Sequence, residues 1–108
     1  KPIIPLFIID ASALKGIFEG EESGIKMLGK FVEAMEESHK KLGYTTTASF
    51  LRAIHISDNK KIDIGRIKQC MDVLIMIPSA PEVVFDNDDK VINEIVKVAN
   101  ELSKRREN

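Results

Sequence analysis

Cysteine, tryptophan and tyrosine are scarce in this chain of 108 residues, which contains one, none and one of them, respectively. The single cysteine, Cys70, excludes an internal disulfide and favours a reducing compartment, so we expect a cytoplasmic protein. No apolar run approaches the length of a membrane span, which predicts no membrane partner. The sequence also lacks zinc-ligand spacings, a phosphate-binding glycine loop and a glycine-flanked serine, so these classes of site have no motif here.

Neither sign of charge is in excess. Sixteen Lys and Arg residues oppose 17 Asp and Glu residues, for a formal net charge of −1. No overall basic field therefore indicates nucleic-acid binding, although local basic clusters are present. The hydrophobic content of 44% is typical of a globular domain. A chain of this length forms one core, so we interpret residues 1–108 as one domain.

Three apolar or β-branched stretches predict strands: Ile3 to Ile9, Tyr44 to Thr46 and Val73 to Ile77. The first and third are continuously apolar, which is typical of central strands buried on both faces. Amphipathic segments separate the stretches, and the order is strand, two helices, strand, two helices, strand, helix. Strands joined by helical crossovers pair in parallel. The sequence therefore predicts a small three-layer α/β sandwich with a parallel sheet.

The clearest predicted helix runs from Glu21 to Leu42, with apolar residues at spacings of three, four and seven. Gly43 is expected to form its left-handed C-cap. The last helix is expected to begin within Asp86–Asp89 and to bury the apolar residues Val91, Ile92, Ile95, Val98, Ala99 and Leu102.

Asp10 is the best candidate for a functional residue. It directly follows the first strand, and ligands of open α/β sheets bind beyond the carboxyl ends of the strands. The same position suits the N-cap of a helix, so a metal-binding carboxylate and a helix cap remain alternatives. The same two alternatives apply to a later acidic group, Asp86, Asp88 and Asp89. These residues either form the acidic start of a helix or, together with Asp10, form an oxygen-rich site for Mg²⁺.

The strand that ends in Asp10-Ala11-Ser12-Ala13-Leu14, followed by a helix pair and a strand ending in threonines, resembles the PIN-domain family. The resemblance implies a carboxylate site for Mg²⁺ or Mn²⁺ that hydrolyses RNA phosphodiesters, with Asp10 as a catalytic metal ligand. It gives Ser12 the role of orienting Asp10 by hydrogen bonding. It also places a further catalytic acid at Asp88 or Asp89, with Asp89 as the second metal ligand.

Two features depart from the PIN pattern. The acidic residue that the family carries on the helix after the second strand would be near Arg52 or Ala53, and neither of these is acidic. The positive charge of Arg52 would repel a divalent metal ion. The chain is also shorter than usual for the family and lacks its last acid. In layout it is nearest to the minimal protein-only ribonuclease P group, also called RNA-ligase partner. That likeness implies an incomplete carboxyl-terminal part, with further acids beyond residue 108.

We therefore expect a PIN-like, metal-dependent endoribonuclease, with a catalytically degenerate PIN-like module that binds RNA or a protein as the alternative. The expected RNA contacts are Lys40, Lys41 and Arg52, because basic side chains follow a phosphate backbone. A three-stranded sheet has edges that need cover, so a homodimer is a further expectation.

Overall fold

The structure is a computed structural model that describes residues 6–79 and 89–104. Within these residues, three strands alternate with five helices in the predicted order. The strands are β1 (Phe7–Ile8), β2 (Gly43–Thr46) and β3 (Leu74–Ile77). The helices are α1 (Ala11–Phe18), α2 (Glu22–Ser38), α3 (Thr47–Ile56), α4 (Ile64–Val73) and α5 (Lys90–Lys104). The α/β class and the parallel pairing are thus confirmed.

The three strands lie in the order β1-β2-β3, so β2 is central and the other two are edges of the described sheet. Within residues 6–79 and 89–104, the first and third strands are therefore not central, contrary to the prediction. Leu6, Phe7 and Ile8 are 48%, 55% and 72% exposed, whereas Thr45 in β2 is 1% exposed. A continuous apolar run indicates how much apolar surface a strand is able to bury. How much it does bury depends on the strands and helices beside it.

Helix α2 ends four residues before the predicted Leu42. It stops at Ser38, and His39 takes the left-handed conformation at φ 55° while its N–H donates to Met35 O. Gly43 is therefore not the cap; it is the first residue of β2. A Cβ at Gly43 would lie 2.9 Å from Leu74 Cδ2 and 3.0 Å from Phe31 Cζ. Close packing, rather than a turn, requires this glycine.

Another glycine sets the crossing of α1 and α2. A Cβ at Gly24 would lie 2.7 Å from both Gly16 C and Ile17 N. The two helix backbones approach each other directly, which only glycine permits at this point. This contact explains why α2 includes a residue that lowers helix propensity by about 1 kcal/mol relative to alanine.

The core lies between the sheet and the helices and joins α1 to α3. Phe18 and Phe50 are fully buried and pack edge to face, with their ring centroids 5.6 Å apart. Helix α5 adds Ile92, Ile95, Val96 and Ala99 to this core. Two residues predicted on its buried face, Val91 and Val98, are 41% and 47% exposed, and that part of the prediction is wrong. The neighbouring helices select a face that includes Val96 and excludes Val91 and Val98, which the apolar spacing alone did not distinguish.

Candidate functional site

The carboxyl ends of the three strands meet at one edge of the sheet. Ile8 is level with Tyr44 in the parallel ladder, and Thr46 is level with Ile77. Ile9 N–H continues the ladder by donating to Tyr44 O at 2.8 Å. Extending the register by two residues places Asp10 level with Thr46, on strands that lie about 4.8 Å apart. Asp10 thus lies at the edge where ligands of parallel sheets bind.

Asp10 is exposed and acts as the N-cap of α1. Its backbone is extended (φ −87°, ψ 176°), and Oδ1 accepts a hydrogen bond from Ala13 N–H at 2.9 Å. The capping alternative is therefore realised in the structure. A cap uses one carboxylate oxygen, and Oδ2 accepts no hydrogen bond from the described residues. Capping and metal binding can use the same side chain, because they need different oxygens.

Ser12 lies two residues beyond Asp10, in the first turn of α1, and is exposed. The hydrogen bond that orients the Asp10 carboxylate comes from Ala13 N–H. No hydrogen bond joins Ser12 to Asp10 in this structure.

Hydroxyl groups surround the carboxyl ends of β2 and β3. Thr46 Oγ1 caps α3 by accepting from Ser49 N–H at 3.0 Å. Thr47 Oγ1 accepts from Ser79 N–H at 2.9 Å, and Ser79 Oγ accepts from Ala48 N–H at 3.0 Å. These bonds fix the chain leaving β3 to the start of α3. The threonines were predictable from the sequence, but Ser79 was not among the predicted site residues; its position directly after Pro78, at the end of an apolar strand, was the available signal.

Asp89, the second expected metal ligand, caps α5. Its Oδ1 accepts from Val91 N–H at 2.8 Å and from Ile92 N–H at 3.4 Å. The acidic helix start is thus realised at this residue. Asp86 and Asp88 lie outside the described residues. Among residues 6–79 and 89–104, no three His, Cys, Asp or Glu side chains form a cluster able to hold a metal ion.

The three expected RNA contacts do not share one end of the sheet. Arg52 is exposed in the second turn of α3, whose first residue follows the carboxyl end of β2. Lys40 and Lys41 are also exposed but precede the amino end of β2. A four-residue strand is about 13 Å long. Arg52 thus lies on the helix that begins at the carboxyl end of β2, whereas the lysine pair lies at the other end of the sheet.

The titratable groups with altered pKa values lie away from this edge. Asp58 N–H donates to Glu19 Oε2 at 2.7 Å and Lys15 Nζ approaches Oε1 at 3.1 Å, and together they lower the pKa of Glu19. Burial raises the pKa of the Cys70 thiol to about 12. A thiol held in its neutral form is a poor nucleophile, and the buried Cys70 serves as a small core residue.

None of the described helices combines the length and the apolar character that crossing a membrane requires.

Comparisons of this chain with protein-family models, with curated proteins and with solved structures find no match. The PIN-like resemblance stays a prediction from the residues.

Proposed function

We propose that this chain is a PIN-like module that hydrolyses RNA phosphodiesters with Mg²⁺ or Mn²⁺, and that Asp10 is one of the metal ligands. The observation that supports the proposal is the position of Asp10, exposed at the carboxyl end of β1 and level with the end of β2. The proposed layering is that of a three-layer PIN-like sandwich, with the parallel sheet as its middle layer.

The carboxylate at this edge is the type of donor that a hard cation prefers. Mg²⁺ is commonly held by one or two carboxylates together with waters and substrate phosphates. Asp10 supplies one carboxylate whose Oδ2 is unused by the described residues, and Asp88 or Asp89 is the proposed second acid. When bound, the metal lowers the pKa of a water and neutralises charge on the scissile phosphate.

The chain's own residues would position the substrate. The Ala13 N–H holds Oδ1 of Asp10 and leaves Oδ2 without a hydrogen bond from the described residues. Ser12, exposed next to it, is proposed to orient Asp10 once substrate is present. Arg52, exposed on α3, is proposed to bind a phosphate of the RNA backbone.

A second candidate is a non-cleaving module that binds RNA or a protein partner. The observation favouring it is that a cation, Arg52, stands on α3 where the PIN pattern has an acid. In this case Asp10 serves as a cap alone, and Arg52 contributes to RNA affinity without any metal.

The decisive experiment compares cleavage of an unstructured, end-labelled RNA in Mn²⁺ by the unaltered protein and by Asp10→Asn. Asparagine caps helices about as well as aspartate, so this change removes the charge and keeps the cap. The matched control is Asp63→Asn. Asp63 is also an exposed N-cap, on α4, but its N–H donates to Phe18 O at the far end of α1.

We expect Asp10→Asn to abolish cleavage and Asp63→Asn to retain it. Equal cleavage by all three proteins would assign the activity to another site or to a contaminant. If none cleaves and calorimetry detects no Mn²⁺ binding, the enzyme proposal is wrong. RNA binding that is weakened by Arg52→Gln but not by the exposed control Lys97→Gln would then support the second candidate.

A further inference from the structure

The open edge of β1 forms a distinct surface on the described part of the chain. Phe7 N–H donates to Leu42 O and Ile9 N–H donates to Tyr44 O, both at 2.8 Å. In a parallel ladder, the residue between two such donors directs its N–H and C=O to the opposite side. Ile8 therefore presents both groups outward, and no described strand lies beyond β1 to pair with them.

An apolar groove accompanies this edge, and we name it the β1 groove. It has a volume of about 480 Å³ and lies between β1 and α2. Its apolar lining includes Phe7, Met27, Phe31 and Leu42. Three successive apolar side chains, Leu6 to Ile8, are about half to three-quarters exposed beside it. A strand edge with exposed apolar side chains is suited to pairing with another extended segment.

The charged residues that line the β1 groove are both cationic. Lys26 and Lys30 follow each other at one helical turn on α2, and both are exposed. Lys26 Nζ lies 3.4 Å from Glu22 Oε1, but both side chains are at least 74% exposed, so water weakens this pair. The groove thus combines an apolar lining with two positively charged side chains.

We propose that the β1 groove binds an extended segment of a partner protein that carries apolar residues flanked by carboxylates, and that the segment adds to β1 as a further strand. Main-chain hydrogen bonds to Ile8 supply affinity, the apolar floor accepts side chains, and Lys26 and Lys30 select acidic flanks. This proposal does not depend on the nuclease activity proposed for Asp10.

A second copy of this chain is the competing occupant, and the charges disfavour it. If two copies paired through their β1 edges about a twofold axis, the same surface of each copy would form the interface. The α2 lysines of the two copies would then approach each other across the axis, with like charges opposed. An acidic segment meets the same lysines with complementary charge.

The test measures binding of a labelled eight-residue peptide to the complete 108-residue chain by fluorescence anisotropy. The peptide has four alternating valine and isoleucine residues with two glutamates at each end. A second peptide replaces the glutamates with lysines. We expect the acidic peptide to bind and the basic peptide to bind at least about tenfold more weakly, since one charge-assisted contact is worth that factor.

Two pairs of variants test the surface itself. Ile8→Pro removes the outward N–H while leaving the bonds of Phe7 and Ile9 to β2, and Ile8→Thr keeps that N–H. Lys30→Glu reverses a groove charge, and Lys97→Glu reverses an exposed charge on α5. We expect Ile8→Pro and Lys30→Glu to weaken acidic-peptide binding about tenfold, while their controls change it little. Thermal melts of all four variants confirm that they fold.

Several outcomes would overturn the proposal. These are no binding of the acidic peptide, equal binding of both peptides, or equal affinities for Ile8→Pro and Ile8→Thr in folded proteins. Sedimentation of the unaltered protein as a dimer that Ile8→Pro converts to a monomer would assign the edge to a second copy. Because cleavage of RNA is measured separately, failure here leaves the test of Asp10 unaffected.

Discussion

Strands β1 and β2 lie side by side, but their composition and burial are inverted. The apolar residues Phe7 and Ile8 of β1 are 55% and 72% exposed, whereas Thr45 in the more polar β2 is 1% exposed. The difference follows from position, since β2 has a strand on each side and β1 has one in the described sheet. The apolar character of a strand determines how much free energy its burial could contribute. The strands and helices packed beside it determine how much of its surface is buried.

The largest expected difference in stability is between substitutions at two adjacent positions, Ile8 at the end of β1 and Ile9 directly after it. Ile9 is 3% exposed and belongs to the core, whereas Ile8 is 72% exposed. Ile9→Thr should lower the free energy of unfolding by about 2–3 kcal/mol, because it removes buried carbon and buries a hydroxyl. Ile8→Thr should change it by less than about 0.5 kcal/mol. Urea unfolding measures both, and equal losses would mean that β1 is covered on both faces.

Substitution of Gly43 tests whether the packing at the start of β2 leaves room for a side chain. Gly43→Ala should lower the free energy of unfolding by about 1–2 kcal/mol, because the new methyl meets the buried side chains of Leu74 and Phe31. The control is Gly29→Ala on α2, where nothing lies within 4 Å of the added Cβ. That change should raise stability by about 0.5–1 kcal/mol through helix propensity. Changes of the same sign would contradict the packing argument.

Two buried threonines near the end of β2 should respond to valine in opposite directions. Thr45 Oγ1 is buried without a hydrogen-bond partner among the described residues, whereas Thr47 Oγ1 accepts from Ser79 N–H. Thr45→Val should raise the free energy of unfolding by about 1 kcal/mol, and Thr47→Val should lower it by a similar amount. Thermal melts compare the two. A loss for Thr45→Val would reveal a partner for its hydroxyl.

The side chain of Glu19 is largely covered and has hydrogen-bond partners, whereas the buried hydroxyl of Thr45 has none among the described residues. Its side chain is 5% exposed, and its pKa is lowered first by Asp58 N–H and then by Lys15. A lowered folded-state pKa means that the carboxylate stabilises the protein above its ordinary pKa of 4.5 and that this contribution disappears as the pH falls through the folded-state pKa.

Glu19→Gln should therefore lower stability by less than about 1 kcal/mol at pH 7, since the amide oxygen still accepts from Asp58 N–H. The difference from the unaltered protein should shrink as the pH falls below 4.5 towards the folded-state pKa. Urea unfolding at pH 7 and at successively lower pH values measures it. A difference that grows with acidification would reverse the assigned direction.

Local features were predictable because their causes are local. The caps at Asp10 and Asp89 follow from a short polar side chain that precedes a helical segment and accepts a nearby N–H. The predicted end of α2 is wrong, because glycine favours the left-handed C-cap and this predicts Gly43, whereas the left-handed residue is His39. At the candidate site, the sequence located Asp10 at a strand end but did not show that Lys40 and Lys41 lie at the opposite end of the sheet.

The amino-acid sequence by itself determined the α/β class, the order of the elements and the caps, because periodicity and capping act within a few residues. Tertiary structure alone decided which strand is central, which face of α5 is buried and why Gly24 and Gly43 are glycines. Those outcomes depend on atoms distant in the chain, such as Gly16 and Ile17 against Gly24, and Phe31 and Leu74 against Gly43. For the same reason, the apolar stretch leading to Asp10 predicted a buried strand, whereas in the described sheet it is an edge strand with exposed side chains.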